Sequence, residues 1–276
     1  MKLSVFTVML PDLQPEEAAK ALKDIGYSGV EWRVTHIPDK QKHEEPSFWG
    51  NNYCTFEPTE EAAHEAQALS QTFRLETPNI GSYIDLGDIS SVEAAIRFAK
   101  ILGSPQFRVG LGNYQGNYHK HFEDAKAFLE DVVSLAEEHR VKALIELHHQ
   151  TIVPSCSLMH RLVQHFDPRY LGVIHDAGNM VHEGFENYQM GLELLGEYLS
   201  HVHIKNAAYQ VVDKGVSRAV WSDVGAGVVD FGALFKALKA VGYNGYLSVE
   251  DFSQTYASLE SLEHNFCFIS EAWDKA

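Results

Sequence analysis

Short apolar runs, each ending abruptly in polar residues, alternate along this chain with segments whose apolar residues recur at helical spacing. The first run is Leu3–Val8 and the second is Gly29–Arg33, in which Glu31 and Arg33 interrupt the apolar pattern. Leu75–Ile80, Gln106–Leu111 and Val141–Glu146 follow. After these come Gly172–Ile174 leading into Asp176, a run ending near His203, and a last run ending at Glu250. Apolar runs of this length, bounded by turn residues, fit strands buried on both faces. Between the first two, Ala18, Ala21, Leu22 and Ile25 share a helical face that Pro15 opens and Gly26 closes. Comparable faces occupy Thr59–Thr72, Ser91–Leu102, Phe122–Arg140, Ser157–Phe166, Tyr188–Leu195, Phe231–Val241 and Leu259–Trp273.

Regular alternation of strand and helix predicts an α/β fold with a parallel sheet. A doubly wound sheet would alternate in the same way, but it would not bring the ends of four successive late strands to one point. A closed (β/α)₈ TIM barrel does so by geometry. No Gly/Ser linker and no break in composition divides the sequence, so residues 1–276 are expected to form one barrel domain. Two segments are long for loops of a compact domain, Val34–Pro58 and Ala207–Val229. Both follow strands and therefore belong to the catalytic mouth, where Trp49 and Trp221 are expected to help enclose a substrate.

Charge narrows the choice of ligand. A formal net charge of −16 over 276 residues argues against nucleic acid as a partner, because a polyanion would be repelled at long range. The 45% hydrophobic content is ordinary and no run approaches the length of a membrane span, which predicts a soluble cytoplasmic protein. Cys54, Cys156 and Cys267 are widely spaced and odd in number, a pattern that supports neither a disulfide framework nor a thiolate metal site. Nothing in the sequence fixes an oligomeric state, and a homo-oligomer is left open.

The chemistry concentrates at the ends of the last four runs. Glu146, Asp176, His203 and Glu250 each close one of them, and the first three follow one another at about one strand–helix unit. Three carboxylates and one imidazole form an oxygen-rich donor set suited to one divalent ion, Mn²⁺, Mg²⁺, Co²⁺ or Zn²⁺. A lone Glu at a strand end is usually a cap or an ion-pair partner; four such residues at corresponding ends point to a site.

The sequence around these residues resembles the xylose-isomerase-like TIM barrel superfamily, also called the sugar phosphate isomerase/epimerase family. The matching pieces are IELHH, HDAGN, HVHIKN, VGAGVVDF and GYLSVED, in that order through the second half. The resemblance implies that Glu146, Asp176, His203 and Glu250 hold one divalent metal and that Glu146 and Glu250 also move protons. It implies chemistry on a small keto or hydroxy sugar, in which one carboxylate removes a proton α to a carbonyl and the other returns it across a planar enediolate. Three positions depart from the ketose 3-epimerase pattern: Asn179, Ile152 and Tyr209 stand where that branch carries His, Glu and Arg.

Further candidates surround this set. His148 shares the inward face of Glu146 and is a candidate for proton transfer or substrate contact. His201 lies one layer below His203 and reads as a buried structural histidine, while His175 points away from Asp176 toward the scaffold. Lys205 either contacts substrate oxygens or neutralises the acidic cluster. Arg33, Asn179 and Trp49 are candidate substrate contacts, and Glu31 either joins them or pairs with Arg33. Gly225-Ala226-Gly227 lacks a full phosphate-loop motif and reads as a turn. The expected function is that of a metal-dependent sugar isomerase or epimerase. A dehydratase of a keto sugar or cyclitol on the same site is the alternative, as is a non-catalytic sugar-binding barrel that needs a partner. An abasic-site nuclease is disfavoured by the charge and by the absence of further ligands on the early strands.

Overall fold

A computed structural model describes all 276 residues. In chain order the strands are β1 (Lys2–Val5), β2 (Trp32–Val34), β3 (Thr55–Phe56), β4 (Ile80–Ser82), β5 (Gln106–Val109) and β6 (Lys142–Glu146). They continue with β7 (Leu171–Asp176), β8 (Leu199–Ile204), β9 (Asn206–Asp213), β10 (Val216–Ser222) and β11 (Tyr246–Val249). The helices are α1 (Pro15–Ile25), α2 (Glu60–Phe73), α3 (Ile89–Leu102), α4 (Tyr118–His139), α5 (Cys156–Val163), α6 (Ala177–Glu183), α7 (Tyr188–Leu195), α8 (Phe231–Ala240) and α9 (Ser258–Lys275).

Eight parallel strands form the barrel wall in the order β1-β11-β8-β7-β6-β5-β4-β2. The ring closes through a parallel bridge between Phe6 and Glu31, where the Glu31 N–H donates to the Val5 carbonyl at 2.8 Å and the Thr7 N–H donates to the Glu31 carbonyl at 2.9 Å. Above that bridge β3 takes over as the neighbour of β2, pairing Thr55 with Arg33 and Phe56 with Val34. This is the (β/α)₈ arrangement expected from the alternation of runs.

Local sequence explains the outer layer. Pro15 begins α1 behind a reciprocal Gln14–Glu17 cap, and Thr59 accepts the Ala62 N–H at the start of α2. Outward-facing strand residues meet these helices: the Trp32 indole N–H donates to Ser70 Oγ on α2 at 3.0 Å. Inside the ring, the Phe6 side chain lies beside His203, with ring centroids 5.8 Å apart. Gly81 makes this possible, since a Cβ at that position would fall 2.1 Å from the Phe6 ring.

Three features differ from the sequence reading. The third barrel strand is Ile80–Ser82 rather than Leu75–Ile80, because Pro78 has no N–H to give a ladder and pairing resumes only beyond it. A short helix, α6, begins directly after β7 with Asp176 as its N-cap. Within Ala207–Val229, most of the expected loop is an antiparallel hairpin of β9 and β10 turning at Lys214-Gly215, both at positive φ. Its register sets Trp221 opposite Ala207, which carries the indole back to the barrel mouth. Val34–Pro58 is irregular apart from β3, but its base is anchored by Asn52, whose side-chain amide donates to the Val8 carbonyl at 2.9 Å. No helix is long and apolar enough to cross a membrane.

Candidate metal centre and cavity

Adjacent strand ends bring the four candidate ligands together. Glu146 is the last residue of β6 and Asp176 the last of β7; Asp176 lies beside His203 in the β7–β8 ladder. Glu250 follows the end of β11, whose Ser248 is in register with His203. Glu146, Asp176, His203 and Glu250 each offer a ligand atom, and these atoms all lie within 4.8 Å of one another. Asp176 and His203 are fully buried.

Asn179 holds this set from behind. Its side-chain amide donates to Glu146 Oε1 at 3.0 Å and to Asp176 Oδ2 at 2.9 Å, while its backbone N–H caps onto Asp176 Oδ1 at 2.8 Å. Expected to touch substrate, Asn179 is fully buried and does not border the cavity. Lys205 sits against the acidic cluster and also borders the cavity. Its ammonium lies 2.9 Å from Asp176 Oδ2 and 3.9 Å from Glu146 Oε1 and donates to Glu250 Oε2.

The electrostatics show what the cluster demands. Burial would raise the Glu146 carboxyl, but the Arg108 guanidinium at 2.7 Å, with His203 and Lys205, outweighs it and holds the group well below the usual carboxylate range. Burial pushes Asp176 up to about 7; Lys205 opposes the shift, whereas Glu146 and Glu250 add to it. Burial opposes the charged form of His203, yet Glu31 and Glu146 raise it well above its ordinary value. Lys205 is raised too, its carboxylate neighbours overcoming desolvation. A carboxyl that still resists ionisation beside a lysine marks a place short of positive charge. The hard, oxygen-rich donor set and this deficit fit a divalent cation.

Beneath the cluster lies a second buried layer. Glu31 accepts from Asn79 Nδ2 at 2.8 Å and contacts His201 Nε2 at 2.9 Å and His203 Nε2 at 3.2 Å. Glu31 therefore pairs with histidines across the barrel and not with Arg33. Arg33, expected to touch substrate, instead donates to Thr55 Oγ1 at 2.6 Å, lies 5.1 Å from the Tyr83 ring centroid, and does not border the cavity. His201 is buried as expected; His175 is also fully buried, and neither of its ring nitrogens has a partner.

A cavity of about 440 Å³ opens over the cluster. Glu146, Glu250, Lys205, Arg108 and His148 form its polar floor, and Trp49, Trp221 and Phe252 an aromatic side. Trp49 packs at a tilt 4.8 Å from Phe252, and Trp221 lies 5.9 Å from the same ring. The His148 Nδ1–H donates to the His149 carbonyl at 2.7 Å, which leaves Nε2 of the neutral ring as an acceptor. Burial keeps that ring neutral by lowering its pKa to about 4. His149 stacks on His148 and His182 at 4.5 and 4.4 Å, and the His182 ring meets Trp221 at a tilt, 4.6 Å away, which ties the hairpin to the floor.

Arg108 is the residue the sequence reading passed over. Its signal is a charged side chain between the apolar Phe107 and Val109 of β5. Its guanidinium stands 4.5 Å from the Tyr83 ring centroid and 5.3 Å from that of Phe6, so two aromatic faces hold it against Glu146.

Fold and cluster together define a (β/α)₈ barrel with a carboxylate–imidazole centre at the C-terminal mouth. The chain belongs to the xylose isomerase-like TIM barrel family, whose sequence model matches residues 19–269. It is 29% identical over 129 residues to the inosose dehydratase of Geobacillus thermodenitrificans, a match covering 42% of this chain and 42% of that protein, so less than half of that relative is spanned. Its structure resembles that of the IOLI protein with a bound zinc atom, at a TM-score of 0.78 and 16% identity over 100% of this chain and 99% of the other. It also resembles the 3-keto-D-glucoside 4-epimerase YcjR of E. coli, at 0.74 and 15% over 98% and 99%. At these identities the structural likenesses establish the fold.

Proposed function

We propose that this chain is a divalent-metal-dependent isomerase or epimerase that moves a proton α to the carbonyl of a small keto sugar or keto cyclitol. The observation that carries this reading is the division of the four donors. Glu146 and Glu250 border the cavity, while Asp176 and His203 lie behind them. An ion held by these four residues would supply positive charge to the substrate's keto and adjacent hydroxyl oxygens as negative charge develops there.

The chain's own groups do the rest. Arg108 keeps Glu146 ionised and fixes its direction, so that an intrinsically weak base acts through position. Glu250, held by Lys205, offers a second carboxylate at the same floor. One of the pair removes the α proton and the other returns it. His148, neutral with Nε2 free to accept, is placed to take a hydroxyl proton where the carbonyl moves along the chain. The side formed by Trp49, Trp221 and Phe252 covers the apolar face of a sugar ring and excludes water.

Dehydration is the second reading, supported by the relative named inosose dehydratase. It begins with the same proton removal, after which the β C–O bond breaks and the leaving hydroxyl takes a proton to depart as water. The test is incubation of Mn²⁺-, Co²⁺- or Zn²⁺-loaded protein with a panel of ketohexoses and keto cyclitols in D₂O, followed by NMR and mass spectrometry. Isomeric product carrying solvent deuterium at the α carbon is expected, and product lighter by one water selects dehydration. Binding of these sugars with neither turnover nor exchange would overturn both readings and select a non-catalytic barrel.

A further inference from the structure

We infer that Glu31 is a positioning residue that fixes the tautomer and orientation of His203. The inference rests on the metal site proposed above. Nδ1 of His203 faces the cluster, at 3.2 Å from Glu146 Oε1, 3.6 Å from Glu250 Oε2 and 3.8 Å from Asp176 Oδ2. The opposite ring nitrogen, Nε2, lies 3.2 and 3.3 Å from the two Glu31 oxygens. An imidazole that offers the lone pair of one nitrogen to a cation carries its proton on the other, and a fixed acceptor there settles which is which. Glu31 is such an acceptor.

The carboxylate is itself immobilised. Asn79 donates to Oε1, His201 faces Oε2, and all four side chains are fully buried. Its backbone is pinned on both sides of the peptide by the hydrogen bonds to Val5 and Thr7 that close the barrel. A displacement of β2 against β1 would thus move Glu31, and through it His203.

The same three residues, Glu31, His201 and His203, could be read as a second metal site. Two facts oppose that reading. The Asn79 amide points a donor at Glu31 Oε1, where a cation would need the lone pair. His203 would also have to give both nitrogens to cations, which demands loss of its last ring proton.

The test uses the full-length protein labelled with ¹⁵N-histidine, with Zn²⁺ alone as the probe. In the Zn²⁺-loaded wild type, the His203 signal, identified by its loss in His203→Gln, should show protonated Nε2 and unprotonated Nδ1. Glu31→Gln should bind Zn²⁺ about 10–100-fold more weakly, the usual effect of removing such an outer partner. Glu31→Asp, which keeps the charge, should recover part of that loss at a similar Tm. If Glu31→Gln does not fold, the wild-type tautomer decides alone. Unchanged Zn²⁺ affinity in folded Glu31→Gln, or His203 protonated on Nδ1, overturns the inference while leaving the metal site standing. Two ions per wild-type chain, with one lost in Glu31→Gln, would select the second-site reading instead. A wild type that takes up no ion would remove the proposed metal site and this inference together.

Discussion

In the second half of the barrel, β6, β7, β8 and β11 each present one side chain to the cluster, within one residue of the strand's end. The first half presents none of the four. Its contributions lie within or against the wall: Glu31 under His203, Arg108 against Glu146, and Phe6 filling the space that Gly81 leaves open. Groups that must meet a ligand are needed where strands open into the mouth. Groups that hold them act from beside or below, Arg108 from the cavity floor and Glu31 from under His203, where packing and hydrogen bonds leave little freedom. The halves differ in whether they supply the four donors or support them, and this predicts different failures when each is altered.

The sharpest test of that division sets Glu250→Gln against Arg108→Met. Glu250→Gln removes a proposed proton-transfer group and should lower kcat by about 10²–10⁴-fold, the scale of a general base. Arg108→Met leaves every donor in place and frees Glu146 to turn, so a loss of about 10–100-fold is expected, as for an outer partner of a metal ligand. Steady-state kinetics with the metal-loaded protein, alongside Tm for each variant, measure both. An Arg108→Met loss equal to that of Glu250→Gln would erase the distinction, and would place Arg108 among the groups that act on substrate.

The same division explains what could be read in the sequence. Glu146, Asp176, His203 and Glu250 stand out because each abruptly terminates an apolar run, and a polar residue there has few structural reasons to exist. Glu31 carries the same signal, but its partner His203 is 172 residues away, and only closure of the ring brings the two together. Arg33, two residues further on, looks identical in pattern and yet turns to Thr55 and Tyr83, since β3 intervenes at that level. The hairpin escaped for a different reason. Its strands alternate with many exposed positions, so they lack the continuous apolar character of the barrel wall. Helix α6 is hidden in the sequence because its N-cap, Asp176, has the position of a ligand; the residue serves the helix with Oδ1 and the cluster with Oδ2.

Not every buried polar group in the second half belongs to the site, and acid titration should expose the exception. His175 is fully buried without a partner, and burial lowers its pKa to about 4. In the unfolded chain the ring titrates near the ordinary value of about 6.5, so between these values the unfolded state binds the extra proton. Stability is therefore complete above about pH 6.5 and falls as pH drops toward 4, by about 3 kcal/mol for this one group. Urea unfolding at pH 7 and pH 5 should show a smaller drop for His175→Leu than for the wild type. Equal drops would mean that His175 holds a proton in the folded state.

The smallest effect is expected where the two halves meet above the cavity. Trp49 comes from the segment after β2 and Trp221 from the hairpin after β8, and both lie against Phe252. Trp49 is 55% exposed and makes no hydrogen bond to the floor, so it adds apolar cover without orienting a reacting group. An aromatic contact of this kind contributes about 0.5–1.5 kcal/mol. Trp49→Ala should accordingly raise KM by about 2–10-fold and leave kcat nearly unchanged. Trp221 also faces the Lys205 ammonium at 5.0 Å and packs against His182, so Trp221→Ala should lower kcat as well. Kinetics of the two variants side by side measure the contrast. A fall in kcat for Trp49→Ala with KM unchanged would show that the first half reaches the reacting atoms through its lid, and the partition between supporting and reacting halves would have to be redrawn at the mouth.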